Sequence, residues 1–171
     1  MTSAAVLAIL AFGHVLSAMG WLGGGFLTTF VLGPNLMNLS PAARLEYNVK
    51  VLPRILRFLQ VSIGLTLLFG VLLLYAFYNG DFSFLFKTGQ GIELSVGATL
   101  ALVDAILAWS FVFPSFKRVI QISSSLSKGG QQAPSPDLMK YGNRARIGAL
   151  VGAVLLLAVL SAMIAAGFGF S

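Results

Sequence analysis

Residues 147–170 read IGALVGAVLLLAVLSAMIAAGFGF, and no charged side chain interrupts them. A helix needs about 20 predominantly apolar residues to cross the hydrocarbon core of a bilayer, so this stretch predicts a membrane-spanning helix. Three more segments, residues 3–33, 53–78 and 92–116, satisfy the same criterion. The sequence therefore predicts an all-α membrane protein, in which a single domain over residues 1–171 forms a four-transmembrane-helix bundle.

The composition also indicates a membrane protein. The chain is 57% hydrophobic and only 9% charged, whereas soluble domains carry about 25% charged residues. So few charged side chains cannot cover a water-facing surface, and the lipid bilayer is the expected partner. The chain contains no cysteine, which excludes disulfides, thiolate metal sites and CxxC redox pairs.

Lysine and arginine are distributed unequally among the connections. Of the 11 basic residues, only Lys87 lies in the second connection, and the others flank the first and third. The positive-inside rule places loops rich in these residues in the cytoplasm. The sequence therefore predicts a multi-pass protein of the cell membrane with both termini on the non-cytoplasmic side. Because the basic residues lie in short loops, the net charge of +6 is explained without a nucleic-acid partner.

Two connections carry helix signals. In the first, SPAARLEYNVK begins with Ser40 and Pro41, which suit an N-cap and a first helical position; a short interfacial helix and a simple linker both fit. In the third, PSFKRVIQI predicts a continuation of the third span, whereas SSSLSKGGQQAPSPD predicts a mobile loop. We expect the first span to end before Pro34. It lacks the basic n-region and cleavage site of a signal peptide, which predicts a retained helix.

Two ionisable residues, His14 and Asp104, lie well inside predicted spans. A charged side chain at mid-bilayer costs about 2.5–3.5 kcal/mol on insertion scales, so such residues usually face a bundle interior or a partner. Their predicted depths are similar, roughly 15 and 20 Å from the outer surface at about 1.5 Å per residue. We therefore expect the two side chains to meet in a polar site in the outer half of the bundle. The alternative is that each bonds separately to a backbone carbonyl or a hydroxyl.

Small residues accompany both ionisable side chains at helical spacing. One stripe comprises Gly97, Ala101, Asp104 and Ala108, and the other comprises His14, Ala18, Trp21 and Gly25. Small residues let membrane helices approach closely, so both stripes are expected to face other helices. The GxxxG pattern of Gly148 and Gly152 predicts packing within the chain or a homodimer, and a larger membrane complex is a further alternative.

His14 is also the candidate ligand for a metal or cofactor. A neutral imidazole binds metal ions and haem iron, and Asp104 behind the ring would orient it. One histidine supplies one axial ligand, so haem would need a methionine or a second chain for the other. The cofactor stays undetermined: haem is one candidate, and copper is a weaker one because its sites recruit several His, Met or Cys ligands. Trp21 fits either packing or stacking on a cofactor.

The segment HVLSAMGWLGG, residues 14–24, resembles the opening helix of the copper resistance protein D (CopD) domain in its H-x6-W-x-G-G spacing. RILRFLQVSIGLTLLFGVLLL, residues 54–74, is similar to that domain's next helix, and HemJ-type protoporphyrinogen oxidases have a similar opening helix. The resemblance covers mainly residues 10–78. It implies a four-helix bundle in which His14 is associated with haem, as in HemJ-like proteins. The third span has no lysine like that of HemJ-type enzymes, and Asp104 stands there instead.

These observations favour a small integral membrane protein without enzymatic activity, which acts in metal or haem handling or as an accessory subunit of a membrane redox complex. Two alternatives stay open. One is a haem-dependent membrane oxidoreductase of the HemJ kind, and the other is a proton- or ion-conducting unit that uses His14 and Asp104.

Overall fold

The computed structural model describes residues 3–129 and 135–168. Within these residues there is no strand, and four helices are long and apolar enough to cross a membrane. They span Ala4–Leu36, Pro41–Tyr78, Gly89–Lys128 and Pro136–Phe168. The expected all-α architecture with four membrane-spanning helices is therefore confirmed, and the protein has the architecture of a multi-pass membrane protein.

The helices are longer than hydropathy alone predicts, and two of them contain a π-helical segment. The elements are α1 (Ala4–Phe26), π1 (Leu27–Leu32), α2 (Gly33–Leu36), α3 (Pro41–Lys50), α4 (Leu52–Tyr78), α5 (Phe84–Lys87), α6 (Gly89–Leu107), π2 (Ala108–Val112), α7 (Phe113–Lys128) and α8 (Pro136–Phe168). The fourth helix thus begins well before the apolar stretch at residue 147. Hydropathy detects only the apolar part of a helix, and the polar turns that precede it escape detection.

The local signals for helix ends behave as expected. The Ser40 hydroxyl accepts a hydrogen bond from the Ala43 N–H at 3.3 Å, and α3 forms after it. At the end of α4, Asn79 is left-handed with φ of 50°, which turns the chain. Beyond that turn the Ser83 N–H donates to Asp81, and this bond lowers the pKa of the Asp81 carboxyl. Of the two alternatives for the first connection, the structure therefore has the short helix rather than the simple linker.

The third connection differs from the predicted mobile loop. The continuation of the third span is confirmed, but α7 extends through the serine-rich segment to Lys128. Ser123 is buried and accepts a hydrogen bond from the Asn48 amide at 3.0 Å, which ties α7 to α3. The Ser125 hydroxyl donates to the Gln121 carbonyl at 3.1 Å. The buried Ser123 contact holds this part of α7 against α3. Residues 130–134 of the predicted loop lie outside the described residues.

Pro34 does not end the first helix, contrary to expectation. The chain stays helical to Leu36, and π1 directly precedes the Gly33–Pro34 pair. A proline removes one backbone donor and its ring collides with the carbonyl four residues earlier. The helix accommodates this by a wider turn, in which the Gly33 N–H donates to Thr28, five residues back. Pro114 is preceded in the same way by π2.

The four long helices associate as two pairs, because α1 packs mainly on α4 and α6 mainly on α8. Both contacts rely on glycine. A Cβ on Gly20 would lie 2.7 Å from the Ser62 hydroxyl, and one on Gly97 would lie 2.9 Å from the Met163 methyl. A Cβ on Gly148 would lie 2.8 Å from the Phe111 ring. The GxxxG pattern therefore serves packing within the chain.

The core lies where the two pairs meet, and large apolar side chains cover the outside. Ten residues form the buried apolar cluster: Trp21, Leu52, Leu56, Leu59, Ile63, Ala101, Ala105, Phe113, Val119 and Leu156. Phe12, Val71 and Val154 are exposed, as a lipid-facing surface requires. In the predicted stripe of the third span, Gly97, Ala101 and Asp104 are buried, which confirms its inward orientation.

Ala101→Leu should destabilise the bundle, because the added methyl groups have no space between α6 and its neighbours. Overpacking of this kind costs about 1–3 kcal/mol. Val103→Leu is the matched control, since Val103 is exposed on the same helix. We expect thermal unfolding in detergent to show a lower Tm for Ala101→Leu only. Equal Tm values for the two variants would contradict the packing described for α6.

Candidate functional site

His14 lies on the face of α1 that packs against α4. Its Nδ1 atom is 2.9 Å from the backbone carbonyl oxygen of Thr66. A carbonyl oxygen can only accept, so Nδ1 carries the proton in this bond. In the neutral ring Nε2 is then the atom with the free lone pair. This is the geometry in which a histidine is oriented for binding at Nε2.

A glycine makes room for the imidazole. A Cβ on Gly70 would lie 3.0 Å from Cε1 of His14 and 3.2 Å from Nδ1. The ring therefore occupies the space that a side chain at position 70 would fill, one turn beyond Thr66. The hydrogen bond and the glycine contact together hold the ring orientation. His14 is half-buried rather than enclosed, so part of the side chain reaches the surface of the bundle.

Asp104 lies on α6 and is only 3% exposed. Its Oδ1 atom is 2.8 Å from the position of a Cβ on Gly152, so the carboxylate fills the space beside a glycine of α8. Within the described residues, no side chain or N–H group donates a hydrogen bond to this carboxylate, and no basic side chain forms an ion pair with it. Asp104 is thus a buried ionisable group that has neither a hydrogen-bond donor nor an ion-pair partner among the described residues.

Asp104 lines a cavity of about 70 Å³ at the junction of the helix pairs, which is partly open to the outside of the bundle. The polar side chains around it are few, and aliphatic and aromatic groups supply most of the wall. The lining comprises Trp21, Gly25, Thr28, Thr29, Leu56, Leu59, Ile63, Asp104, Ala108, Val112, Phe113, Phe116, Gly148, Ala149, Gly152, Ala153 and Leu156. A water needs about 10–15 Å³ measured in this way, so the cavity has room for several.

The structure does not bring His14 and Asp104 into contact. The expected pairing is wrong because Trp21 and Gly25, rather than His14, are the α1 residues that share the cavity with Asp104. Trp21 follows His14 by two helical turns, or about 10 Å at about 1.5 Å per residue. Depths counted from helix ends do not reveal such an offset between neighbouring helices. For His14, the alternative of a bond to a backbone carbonyl is confirmed.

The cavity also lies in a different half of the bundle from the one expected. On α4, its lining begins at Leu56, beside Arg57, whereas His14 contacts Thr66 and Gly70 further along. On the third helix, the lining ends at Phe116, next to Lys117. The cavity therefore lies toward the basic connections, and His14 lies away from them. The predicted common site in the outer half is not formed.

Metal-site geometry is lacking in the part of the chain that the structure describes, since no group of three or more His, Cys, Asp or Glu side chains comes together there. Trp21 is 5% exposed and belongs to the apolar core, which agrees with a packing role. His14 thus stands alone, with its Nδ1 atom bonded to the Thr66 carbonyl.

Sequence reasoning overlooked three polar residues. Thr28 and Thr29 contribute to the cavity from π1, and the signal was Pro34, whose position inside a continuous apolar run predicts a distorted turn upstream. Glu93 lies near the start of α6, where one carboxylate oxygen is buried without a hydrogen-bond partner among the described residues. In the sequence, Glu93 could have been identified because it is an acidic residue within the third apolar segment.

Comparisons with protein-family models, with curated proteins and with solved structures found no match for this chain. The likeness to CopD-type proteins therefore rests on the residues quoted above.

Gly70→Ala should displace the His14 ring, because the new methyl group would lie about 3.0 Å from Cε1. Gly64→Ala is the matched control on α4, since nothing lies within 4 Å of a Cβ there. The chain has one histidine, so ¹⁵N-histidine NMR gives one pair of ring signals. We expect the Nδ1-protonated tautomer in the wild type and in Gly64→Ala, and altered ring signals in Gly70→Ala. An Nε2-protonated ring in the wild type would contradict the Thr66 bond.

Proposed function

We propose that this is a small non-enzymatic membrane protein that supplies His14 as a ligand to haem iron or another metal ion. It would act in metal or haem handling, or as an accessory subunit of a membrane redox complex, in the manner of the CopD-like proteins that its first helix resembles. The observation that carries the proposal is the 2.9 Å bond from Nδ1 of His14 to the Thr66 carbonyl. That bond leaves Nε2 as the metal-binding atom.

The protein's own contribution is to hold the ring. Thr66 selects the tautomer, and the glycine at position 70 lets the imidazole lie close to α4. Metal-ligating histidines commonly donate their other ring N–H to a carbonyl in this way. When bound, the metal or haem would supply the redox or transfer chemistry.

A haem would sit at the surface of the bundle rather than inside it. The cavity of about 70 Å³ does not include His14, and pockets for cofactor-sized molecules measure about 300–1,000 Å³. His14 is half-buried, so we expect its ring to be accessible to a neighbouring chain. The second axial ligand would then come from a second copy or from another subunit, which favours an accessory role over a self-contained enzyme.

The two alternatives receive less support. A HemJ-like oxidoreductase would be expected to carry a lysine in the third span, where this chain has Asp104. Conduction of protons or ions through His14 and Asp104 together would need both on one path, and about 10 Å of apolar helix separates His14 from the Asp104 cavity at about 1.5 Å per residue.

Haem binding can be tested by absorption spectroscopy on protein purified in detergent and titrated with hemin. We expect a Soret band at a shifted position in the wild type and its loss in His14→Ala. Gly64→Ala and Asp104→Asn should both retain the band, since neither residue contacts His14. Circular dichroism would verify that each variant remains helical. If hemin, Zn²⁺ and Cu⁺ all bind equally to the wild type and to His14→Ala, the ligand role of His14 is wrong.

We further propose that both termini lie on the non-cytoplasmic side of the cell membrane, since the basic residues concentrate in the first and third connections. Ser127 near the end of α7 and Gly89 at the start of α6 are both exposed, and the chain has no native cysteine. In intact cells, an impermeant thiol reagent should label Gly89→Cys but not Ser127→Cys. Permeabilised cells should give both labels. Labelling of Ser127→Cys alone in intact cells would show that the orientation is the reverse of the proposed one.

A further inference from the structure

We propose that the cavity beside Asp104 is a hydrated proton-binding site, in which Asp104 carries a proton and exchanges it with water held in the cavity. This site is separate from the proposed role of His14 and does not depend on it. The proposal rests on the placement of a nearly enclosed carboxyl group, which has no partner among the described residues, at the wall of a cavity large enough for water.

The first step concerns the charge of the carboxyl group. An ionised carboxylate that is 3% exposed needs a counter-charge or several hydrogen bonds, because an unpaired buried charge is very unfavourable. Among the described residues, Asp104 is the only titratable side chain that lines the cavity. A protonated carboxyl group removes the charge and adds one donor, so the neutral form fits these surroundings.

The charged groups on the surrounding helices do not reach the cavity. Arg57 on α4 and Lys117 on α7 each follow a lining residue in the chain, but neither contributes to the wall. On α8, the Arg144 guanidinium lies 4.4 Å from the centre of the Phe111 ring, where the aromatic face holds it. On α1, His14 bonds to Thr66 instead. None of the four elements therefore supplies a counter-charge for Asp104.

The second step concerns water. A buried water needs two to four polar partners, and the polar side chains among the lining residues are those of Asp104, Thr28 and Thr29. The Thr28 hydroxyl donates to the Gly24 carbonyl at 2.7 Å, so its oxygen remains an acceptor. These groups suit a few waters. They fall short of a metal cage, since ions such as Ca²⁺ take about 6–8 oxygen ligands.

The third step concerns the wall itself. Both π segments contribute to it, π1 through the two threonines and π2 through Ala108 and Val112. A π-helical turn is wider than an α-helical turn and commonly occurs at functional sites. Two such turns, each preceding a proline, border the same buried carboxyl group. The distortion of both helices is thus concentrated where a space for water is needed.

The test is infrared spectroscopy on protein in lipid bilayers. The chain has five acidic residues, so a protonated carboxyl band is readily assigned. At pH 7 we expect one C=O stretching band of a protonated carboxyl group. It should shift to lower frequency in D₂O and disappear in Asp104→Asn. Glu93→Gln is the matched control on α6, because it removes the other partly buried acid of that helix and should leave the band in place.

Isotope labelling makes the test independent of how the variant folds. In wild-type protein with ¹³C-carboxyl aspartate, the band should shift if it belongs to an aspartate. The other two aspartates, Asp81 and Asp137, are exposed and therefore ionised at pH 7, so a shifted band is assigned to Asp104. Absence of the band at pH 7 would overturn the proposal, as would a band that Glu93→Gln removes. A band that never shifts in D₂O would rule out exchange with water. A band that forms only when Na⁺ is withdrawn would mean that Asp104 binds a cation rather than a proton.

Discussion

Close approach of helix backbones at glycine is the constraint on which the rest of the structure depends. Lipid is as apolar as the side chains it surrounds, so hydrophobic burial contributes little to helix association in a membrane, and tight packing replaces it. Here the helices of one pair meet at Gly20, and the helices of the other pair meet at Gly97 and Gly148. Each glycine accepts atoms of the facing helix at a distance that a Cβ would not permit.

The space beside a glycine also accommodates each of the two ionisable side chains. The His14 ring lies in the space beside Gly70 of α4, and the Asp104 carboxyl group lies in the space beside Gly152 of α8. Each polar side chain is therefore placed between the two members of one helix pair, and a glycine of the second member receives it. This pairing explains why the two residues belong to different sites, even though they are the two ionisable residues deepest in the predicted spans.

Apolar run length and the spacing of small residues were sufficient to predict the four helices and the inward stripe at Ala101, whereas capping chemistry left the short α3 helix open against a simple linker. They were insufficient for the site, because hydropathy does not report how far one helix is offset along its neighbour. His14 and Asp104 have similar depths when counted from helix ends, yet Trp21, rather than His14, lines the Asp104 cavity. A second error concerned Pro34. The sequence predicts that the first helix ends before this proline, but the helix continues past it after a π turn.

The two π turns also border the cavity beside Asp104. A proline at the end of a helix would only mark where that helix ends. Pro34 and Pro114 instead lie within helices that continue, and each distorts the turn before it. Those distorted turns face the junction of the two helix pairs, where close packing would otherwise leave no space. The wall of the cavity beside Asp104 thus combines these two distorted turns with Gly148 and Gly152 of α8. His14 lies outside that region, on a regular part of α1, where packing against α4 holds its ring in one orientation.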